Sequence, residues 1–500
     1  MLPLFDVAEI ARTPDGIARY QKVPDSLVDM LRRTVERNPV GEAVVTIGGP
    51  RLTYRELWDG AARVAGGLRN VGVQNGDRVA IRLLNGHEWA LAFYGTLLAG
   101  AVVVPVNMRF SEAEVDYVIR DSGALFSFEE GSALPDGEPY AVTHLNKSDL
   151  AAIFYTSGTT GFPKGAMTTH ECFLSNIETF RRVALLRDSD EYRTLISVPL
   201  FHVTGCNSQL LVAASHGGTA VIMQRFDIRQ FLQAIAGERI TAAISVPAIF
   251  WYALNQPDFV AFNTRGVRWV MYGGAPTAPD LVARIIEAFP NARVSNSYGL
   301  TESSSIATFL PHEYSLTRPE SVGVAAPVVD LDLFEVDAQT GVGELLIRGP
   351  NIVAGYWNKP EATAQTFVHG WLHTGDMARL DADGFVQIVD RKKDMVNRGG
   401  ENVYSVEVEN ALAAHPAVLE SAVVGVPDAM MGEKVGAVIV LKPGCAAEAK
   451  AICEFARSRI ADFKVPQYVV LREDLLPRNP GGKILKARLR KEVDWGRPLF

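Results

Sequence analysis

Apolar positions along most of the chain follow two alternating periodicities. Leu57, Ala61, Val64, Ala65 and Leu68 recur at helical spacing behind Thr53 and Glu56, a T-x-x-E capping pattern, and predict a helix that stops near Gly72. RVAIRL at 78–83 then reads as a strand. An uncharged run follows at 89–106, WALAFYGTLLAGAVVVPV. Its length suits a membrane span, but Gly100 interrupts it and its second half is β-branched, so it predicts a buried helix and then a buried strand. AAIFY at 151–155 is strand-like, and residues 210–214, 219–223 and 242–246 add buried or strand-like runs. A helical pattern at 281–289 leads into a strand at 293–295. This alternation predicts α/β layering with largely parallel sheets.

The texture changes after about Gly323. ELLI at 344–347 and FVQIV at 385–389 are short strands, separated by turns such as DADG at 381–384, and predict an antiparallel region. Helical patterns near 406–413 and 449–460, with strands near 421–426 and 434–441, predict a small α+β unit. The charged run DRKKD at 390–394, followed by Gly399 and Gly400, is the candidate boundary.

Composition narrows the function classes. With 500 residues, 48% hydrophobic and 21% charged, the chain has material for several globular units. Its 49 basic and 57 acidic residues give a net charge of −8, so no global basic field favours nucleic acid. Cys172, Cys206, Cys445 and Cys453 are scattered without CxxC spacing, which argues against a disulfide framework or zinc site and fits a reducing cytosol. Cys206 reads as a small buried hydrophobe. Asp6 and Glu9 stand where a signal peptide would need a basic region and an apolar core, so none is expected.

The densest chemistry lies at residues 155–167, YTSGTTGFPKGAM. Glycines let the backbone approach an anion, Thr156, Ser157, Thr159 and Thr160 add hydroxyls, and Lys164 adds a positive charge. The ordinary alternative is a solvated Gly/Thr turn. GxxxxGK[ST] is absent, which disfavours a P-loop NTPase.

This loop resembles the phosphate loop of the adenylate-forming superfamily, which includes acyl-CoA synthetases, peptide-synthetase adenylation domains and firefly luciferase. Further matches follow in the family's order: YGLTE at 298–302, GELLIRGPNIVAGYW at 343–357, GWLHTGD at 370–376, DRKKDMVNRGGENV at 390–403 and LPRNPGGKILK at 476–486. The resemblance covers about residues 24–489. It implies an α/β fold with a large N-terminal domain, 1–392, made of two α/β subdomains and a β-barrel-like subdomain. A small mobile α+β domain, 393–500, would follow, with its hinge near Lys393.

The implied reaction joins a carboxylic acid to ATP, giving acyl-AMP and pyrophosphate, and then passes the acyl group to coenzyme A with Mg2+ present. By resemblance, Lys483 bridges the substrate carboxylate and α-phosphate, and Glu302 holds magnesium. The loop residues Thr156, Ser157, Gly158, Thr159, Thr160 and Lys164, with Thr301, contact phosphates. Asp376 and Arg391 hold the ribose. Gly274, Ala275, Pro276, Tyr298 and Gly299 form the adenine side. His202, Val203, Thr204, Asn207, Val246, Tyr272, Gly273, Ser297 and Ser303 line the acyl pocket, His202 among the catalytic set but not as a base, since the acid is already ionised. Gly399, Gly400 and Glu401 flank the coenzyme A channel.

These pocket stretches hold no arginine or lysine for a second carboxylate, and no acid besides Glu302 for an amino group. The implied substrate is therefore a medium- or long-chain fatty acid or an aromatic or alicyclic acid. The expected setting is cytoplasmic, without nucleic acid or a transmembrane segment; a homodimer and weak peripheral membrane contact are both admissible. Two alternatives stay open here: a carrier-protein thiol as acceptor, and a non-catalytic nucleotide-binding module. The span from Asp121 to Tyr155 is shorter than the family's usual stretch, which leaves the local fold there unspecified.

Overall fold

The structure is a computed structural model that describes residues 4–156, 162–478 and 484–499. Its centre is a nine-stranded sheet whose middle strands, Glu42–Thr46, Thr219–Ile222, Arg193–Ile196, Ala242–Ser245, Trp269–Gly273 and Arg293–Tyr298, are parallel. Both faces are covered. Val270 and Tyr272 enter one core, while Trp269 and Met271 enter the other. Such strands read as continuous apolar runs, as parallel strands buried on both faces do.

A second sheet carries the parallel strands Ala124–Glu129, Arg78–Arg82, Val102–Pro105 and Leu150–Thr156, with Lys164–Thr169 antiparallel at its edge. The uncharged run at 89–106 divides as its sequence predicts. The helix His87–Leu98 ends before Gly100, which takes φ +76°, and the strand Val102–Pro105 follows. Among the described residues no helix is long and apolar enough to cross a membrane. The run at 210–214 is buried but helical, split between a π-helical turn, Cys206–Leu211, and the helix Val212–His216.

The stretch after Asp121 keeps a regular strand, Ala124–Glu129, and then lies as a strap across the helix Tyr54–Asn70. Gly137 and Tyr140 donate to the carbonyls of Arg63 and Ala62. The contact needs glycine on the helix: a Cβ on Gly66 would stand 1.9 Å from the Glu138 carbonyl oxygen, and one on Gly67 would stand 2.5 Å from the Asp136 nitrogen.

After residue 323 the chain forms a five-stranded antiparallel sheet built on Gly343–Arg348 and Trp371–Leu380. From Val396 onward it forms another sheet, dominated by the long pair Val418–Asp428 and Gly432–Leu441, with a separate core around Val408, Leu412, Val435 and Ile439.

Candidate functional site

The central strands Ala242–Ser245, Trp269–Gly273 and Arg293–Tyr298 all run toward one edge, and the 274–276 and 299–303 turns follow directly from two of their carboxyl ends. That is where an open α/β sheet leaves a crevice for ligands. Ser245 pairs in register with Tyr272, and Gly273 pairs with Ser297. The turn at 274–276 is exposed, and Gly274 takes φ +76°. Gly273 has no room for a side chain, because a Cβ would stand 2.3 Å from the Ser297 carbonyl oxygen.

Tyr298 and Asp376 meet across this crevice. The Tyr298 hydroxyl donates to Asp376 Oδ2 at 2.6 Å, and Arg391 Nε lies 3.1 Å from Oδ1. Asp376 is buried and pairs in register with Arg391 on the neighbouring strand. Burial, then the adjacent carboxylate, push the Tyr298 phenol well above its ordinary range, so it remains a donor.

Thr301, Glu302 and Ser303 form a single 3₁₀ turn after Tyr298. Gly299 is required there, since a Cβ would fall 1.3 Å from the Ser305 carbonyl oxygen. The Ser303 hydroxyl accepts from Leu300 N–H at 2.8 Å, so it braces this turn from inside. Ser304 and Ser305 take φ +53° and +115°, rare for residues with a side chain. Neighbours hold them in place: Asn207 Nδ2 donates to the Ser304 carbonyl, and the Ser208 and Ser305 hydroxyls stand 2.6 Å apart. Asn207 and Ser208 come from the π-helical turn Cys206–Leu211, a widening that often accompanies functional sites. His202, Val203 and Thr204 lead into that turn, and the His202 ring lies 4.7 Å from Phe201. Among the described residues no partner reaches Asn207 Oδ1 or the Tyr272 hydroxyl. Cys206 is fully buried, and burial pushes its thiol far up, so its expected role as a small hydrophobe holds.

Thr156 and Lys164 face each other as the closing pair of an antiparallel hairpin. The candidate phosphate loop thus joins two strands and precedes no helix, unlike a P-loop. Ser157, Gly158, Thr159 and Thr160 lie outside the described residues. Tyr356 is a site residue that residue chemistry alone did not single out: its hydroxyl donates to Glu302 Oε1 at 2.7 Å, and its ring centre is 5.1 Å from Lys164 Nζ. The only sequence signal was its place in GELLIRGPNIVAGYW.

Lys483 also lies outside the described residues, but both flanks of its segment are anchored. Arg478 and Ile484 form a β-bridge, and Leu476 N–H donates to Glu420 at 2.8 Å. Lys486 reaches Glu409 at 2.7 Å and the Ser405 hydroxyl at 2.6 Å. Ser405 donates in turn to Asp390 Oδ1 at 2.9 Å, one residue before Arg391. A partly buried chain of polar contacts therefore connects the lysine-bearing segment to the strand that carries Arg391. Lys393 is exposed just beyond it. Gly399 and Gly400 make a two-residue hairpin turn at φ +63° and +94°, and Glu401 is exposed on its far side.

A carboxylate at Glu302 suits magnesium, which commonly takes one or two carboxylates together with substrate phosphates. Its Oε1 is engaged by Tyr356, and among the described residues no hydrogen bond reaches its second oxygen. Among the described residues no cluster of three or more His, Cys, Asp or Glu forms a dedicated metal cage.

The AMP-binding enzyme family matches residues 31–138 and 125–357, and the AMP-binding enzyme C-terminal domain matches residues 407–483. A feruloyl-CoA synthase from Amycolatopsis is 35% identical over 471 residues, spanning 89% of this chain and 94% of that protein. The long-chain-fatty-acid–CoA ligase FadD13 of Mycobacterium tuberculosis is 34% identical over 497 residues, spanning 93% and 97%. The o-succinylbenzoate CoA synthetase of Bacillus subtilis, solved with its acyl-adenylate intermediate, superposes with a TM-score of 0.85 at 28% identity, covering 95% of this chain and 100% of that one.

Proposed function

Because the chain belongs to the AMP-binding enzyme family, we propose a division of labour among its residues for the ligation of a carboxylic acid to coenzyme A. The reaction is AMP-forming: the acid and ATP give acyl-AMP and pyrophosphate, and the acyl group then passes to coenzyme A, leaving AMP. What carries the assignment of roles is the Tyr298–Asp376–Arg391 cluster, with Glu302 in the turn that follows Tyr298 and linked through Tyr356 to Lys164.

In this reading Asp376 accepts from the ribose hydroxyls, steadied by Arg391, and Tyr298 lies against adenine with the 274–276 turn. Glu302 would supply an oxygen to Mg2+, which when bound would offset the charge of the phosphates. Thr156, Lys164, Thr301 and the loop residues 157–160 hold the phosphates that leave. Lys483 sits between carboxylate and α-phosphate, where a cation opposes the repulsion of two anions. Positioning and charge neutralisation carry this step, since the acid is already ionised. His202 and the 203–207 turn shape entry of the acid, with Val246, Tyr272, Gly273 and Ser297 as walls and Ser303 bracing the turn behind them. We place a domain boundary between residues 392 and 393, with Lys393 as hinge and the turn at 399–401 beside the thiol channel. The change of sheet between Val386–Arg391 and Val396–Arg398 supports that boundary.

The substrate class is a medium- or long-chain fatty, aromatic or alicyclic monocarboxylic acid. The scarcity of charge in the pocket stretches supports this, as do relatives named for feruloyl and long-chain fatty acids. Four unpaired cysteines support cytoplasmic residence. A homodimer and weak membrane contact belong to the same reading; sedimentation and vesicle flotation test them. The decisive experiment measures pyrophosphate release and thioester formation across a panel of such acids, with either coenzyme A or a phosphopantetheinylated carrier protein. Acid-dependent release with coenzyme A as acceptor is expected. Carrier-only transfer, or preference for a dicarboxylic acid, would overturn the assignment.

A further inference from the structure

Tyr356 touches two groups that the proposed mechanism uses separately. Its hydroxyl donates to Glu302 Oε1 at 2.7 Å, and its ring faces Lys164 Nζ at 5.1 Å. The backbone repeats the connection. Residue 356 bridges Ala166 on the strand that begins at Lys164, Trp357 N–H donates to the Gly165 carbonyl at 2.8 Å, and Val353 N–H donates to the Glu302 carbonyl at 3.0 Å. Phe367 packs against the ring at 5.7 Å, edge to face, and the side chain is buried at 8% exposure.

We propose that Tyr356 is a positioning residue that holds Glu302 and Lys164 in one fixed geometry for a magnesium-bound polyphosphate. This rests on Glu302 as the magnesium ligand and Lys164 as a phosphate contact. The hydroxyl occupies one carboxylate oxygen and would leave the other to a bound cation. The ring places the ammonium by a cation–π contact and leaves its N–H donors for phosphate. One side chain thus fixes the distance between the metal site and the cationic site.

The two halves separate by substitution. Y356F keeps the ring and loses the hydroxyl, whereas Y356L loses both. Nucleotide binding is followed by calorimetry with ATP, once across a Mg2+ titration and once in EDTA. In Y356F the half-saturating Mg2+ concentration rises about three- to tenfold, the size of one lost hydrogen bond, and binding in EDTA stays as in the wild type. Y356L weakens binding in EDTA as well, while acyl transfer from supplied acyl-adenylate persists in both. A role in packing alone would lower thermal stability without moving the Mg2+ requirement. If E302Q shifts that requirement and a folded Y356F does not, the positioning role is wrong and the metal assignment stands. If E302Q leaves it unmoved, the metal assignment itself fails.

Discussion

Tyr298 and Asp376, 78 residues apart in sequence, are joined by a 2.6 Å hydrogen bond that ties the central parallel sheet to the antiparallel one. Arg391 holds the other carboxylate oxygen, so Asp376 is oriented before any nucleotide arrives. Asp376→Asn should raise the KM for ATP about tenfold or more, the cost of removing a charge-assisted acceptor. Tyr298→Phe should have a smaller effect. Steady-state kinetics at saturating acid checks both; an unchanged KM in Asp376→Asn would remove it from the nucleotide site.

The polar chain through Asp390, Ser405, Lys486 and Glu409 crosses the proposed boundary. Asp390 accepts from both the backbone N–H and the hydroxyl of Ser405, at the start of the helix Ser405–Ala413. Asp390→Ala should lower stability by about 1–3 kcal/mol through loss of these two hydrogen bonds. It should also change the ratio of adenylation to thioester formation, because any rotation about Lys393 has to part these groups. Chemical denaturation combined with separate half-reaction assays tests this. An unchanged ratio in a destabilised variant would confine the contact to stability.

Lys483→Ala should nearly abolish adenylation while leaving thioester formation from supplied acyl-adenylate largely intact. Equal loss of both half-reactions would contradict its assigned place between carboxylate and α-phosphate.

At Gly400 a Cβ would meet nothing within 4 Å, so it is the backbone at φ +94° that demands glycine in this arrangement. Gly400→Leu should therefore cost about 1–2 kcal/mol of local strain. If the turn borders the thiol channel, thioester formation should also fall while adenylation is retained. Thermal melts separate the two effects, and a variant that loses stability but keeps full thioester formation rules out the channel.

His170 predicts a pH effect away from the site. It is buried at the start of the helix His170–Val183 and accepts from Leu27 N–H through Nδ1 at 3.2 Å. Burial lowers its pKa from 6.5 to about 4, against a smaller opposing effect of Asp149. Between these values the unfolded chain binds a proton that the folded chain does not, so stability falls as pH drops from 6.5 toward 4, by up to about 3 kcal/mol from this group. His170→Gln keeps an acceptor for Leu27 and should flatten that slope in denaturation curves. An unaltered slope would place the sensitivity elsewhere.

The sequence exposes some of this architecture and hides the rest for definable reasons. The helix opened by Thr53 and Glu56 appears because its capping pair and apolar face lie within a few residues, and the capping box is present as read. The strands ending near Ser245 and Tyr298 appear because both their faces are buried, whereas Trp269–Gly273, the strand between them, is not marked out by the sequence pattern. The run at 210–214 is buried on all sides too, and there short apolar stretches do not distinguish strand from helix. Asp376 and Glu302 stand out through their motifs. What supports them does not, because the partners lie far away in the chain: Tyr356 is 54 residues from Glu302 and Ser405 is 15 from Asp390. Nothing in a tyrosine or serine codon specifies which distant carboxylate it will meet.

The strap over the helix Tyr54–Asn70 bears on how this chain can diverge. Gly66 and Gly67 are locked against residues 135–138 at distances that admit no methyl group, so neither side can change alone. The glycine pair and the short crossing segment form one heritable unit. A chimera that imports a longer segment from a relative should fold when that relative's helix residues travel with it, and fail when they are left behind.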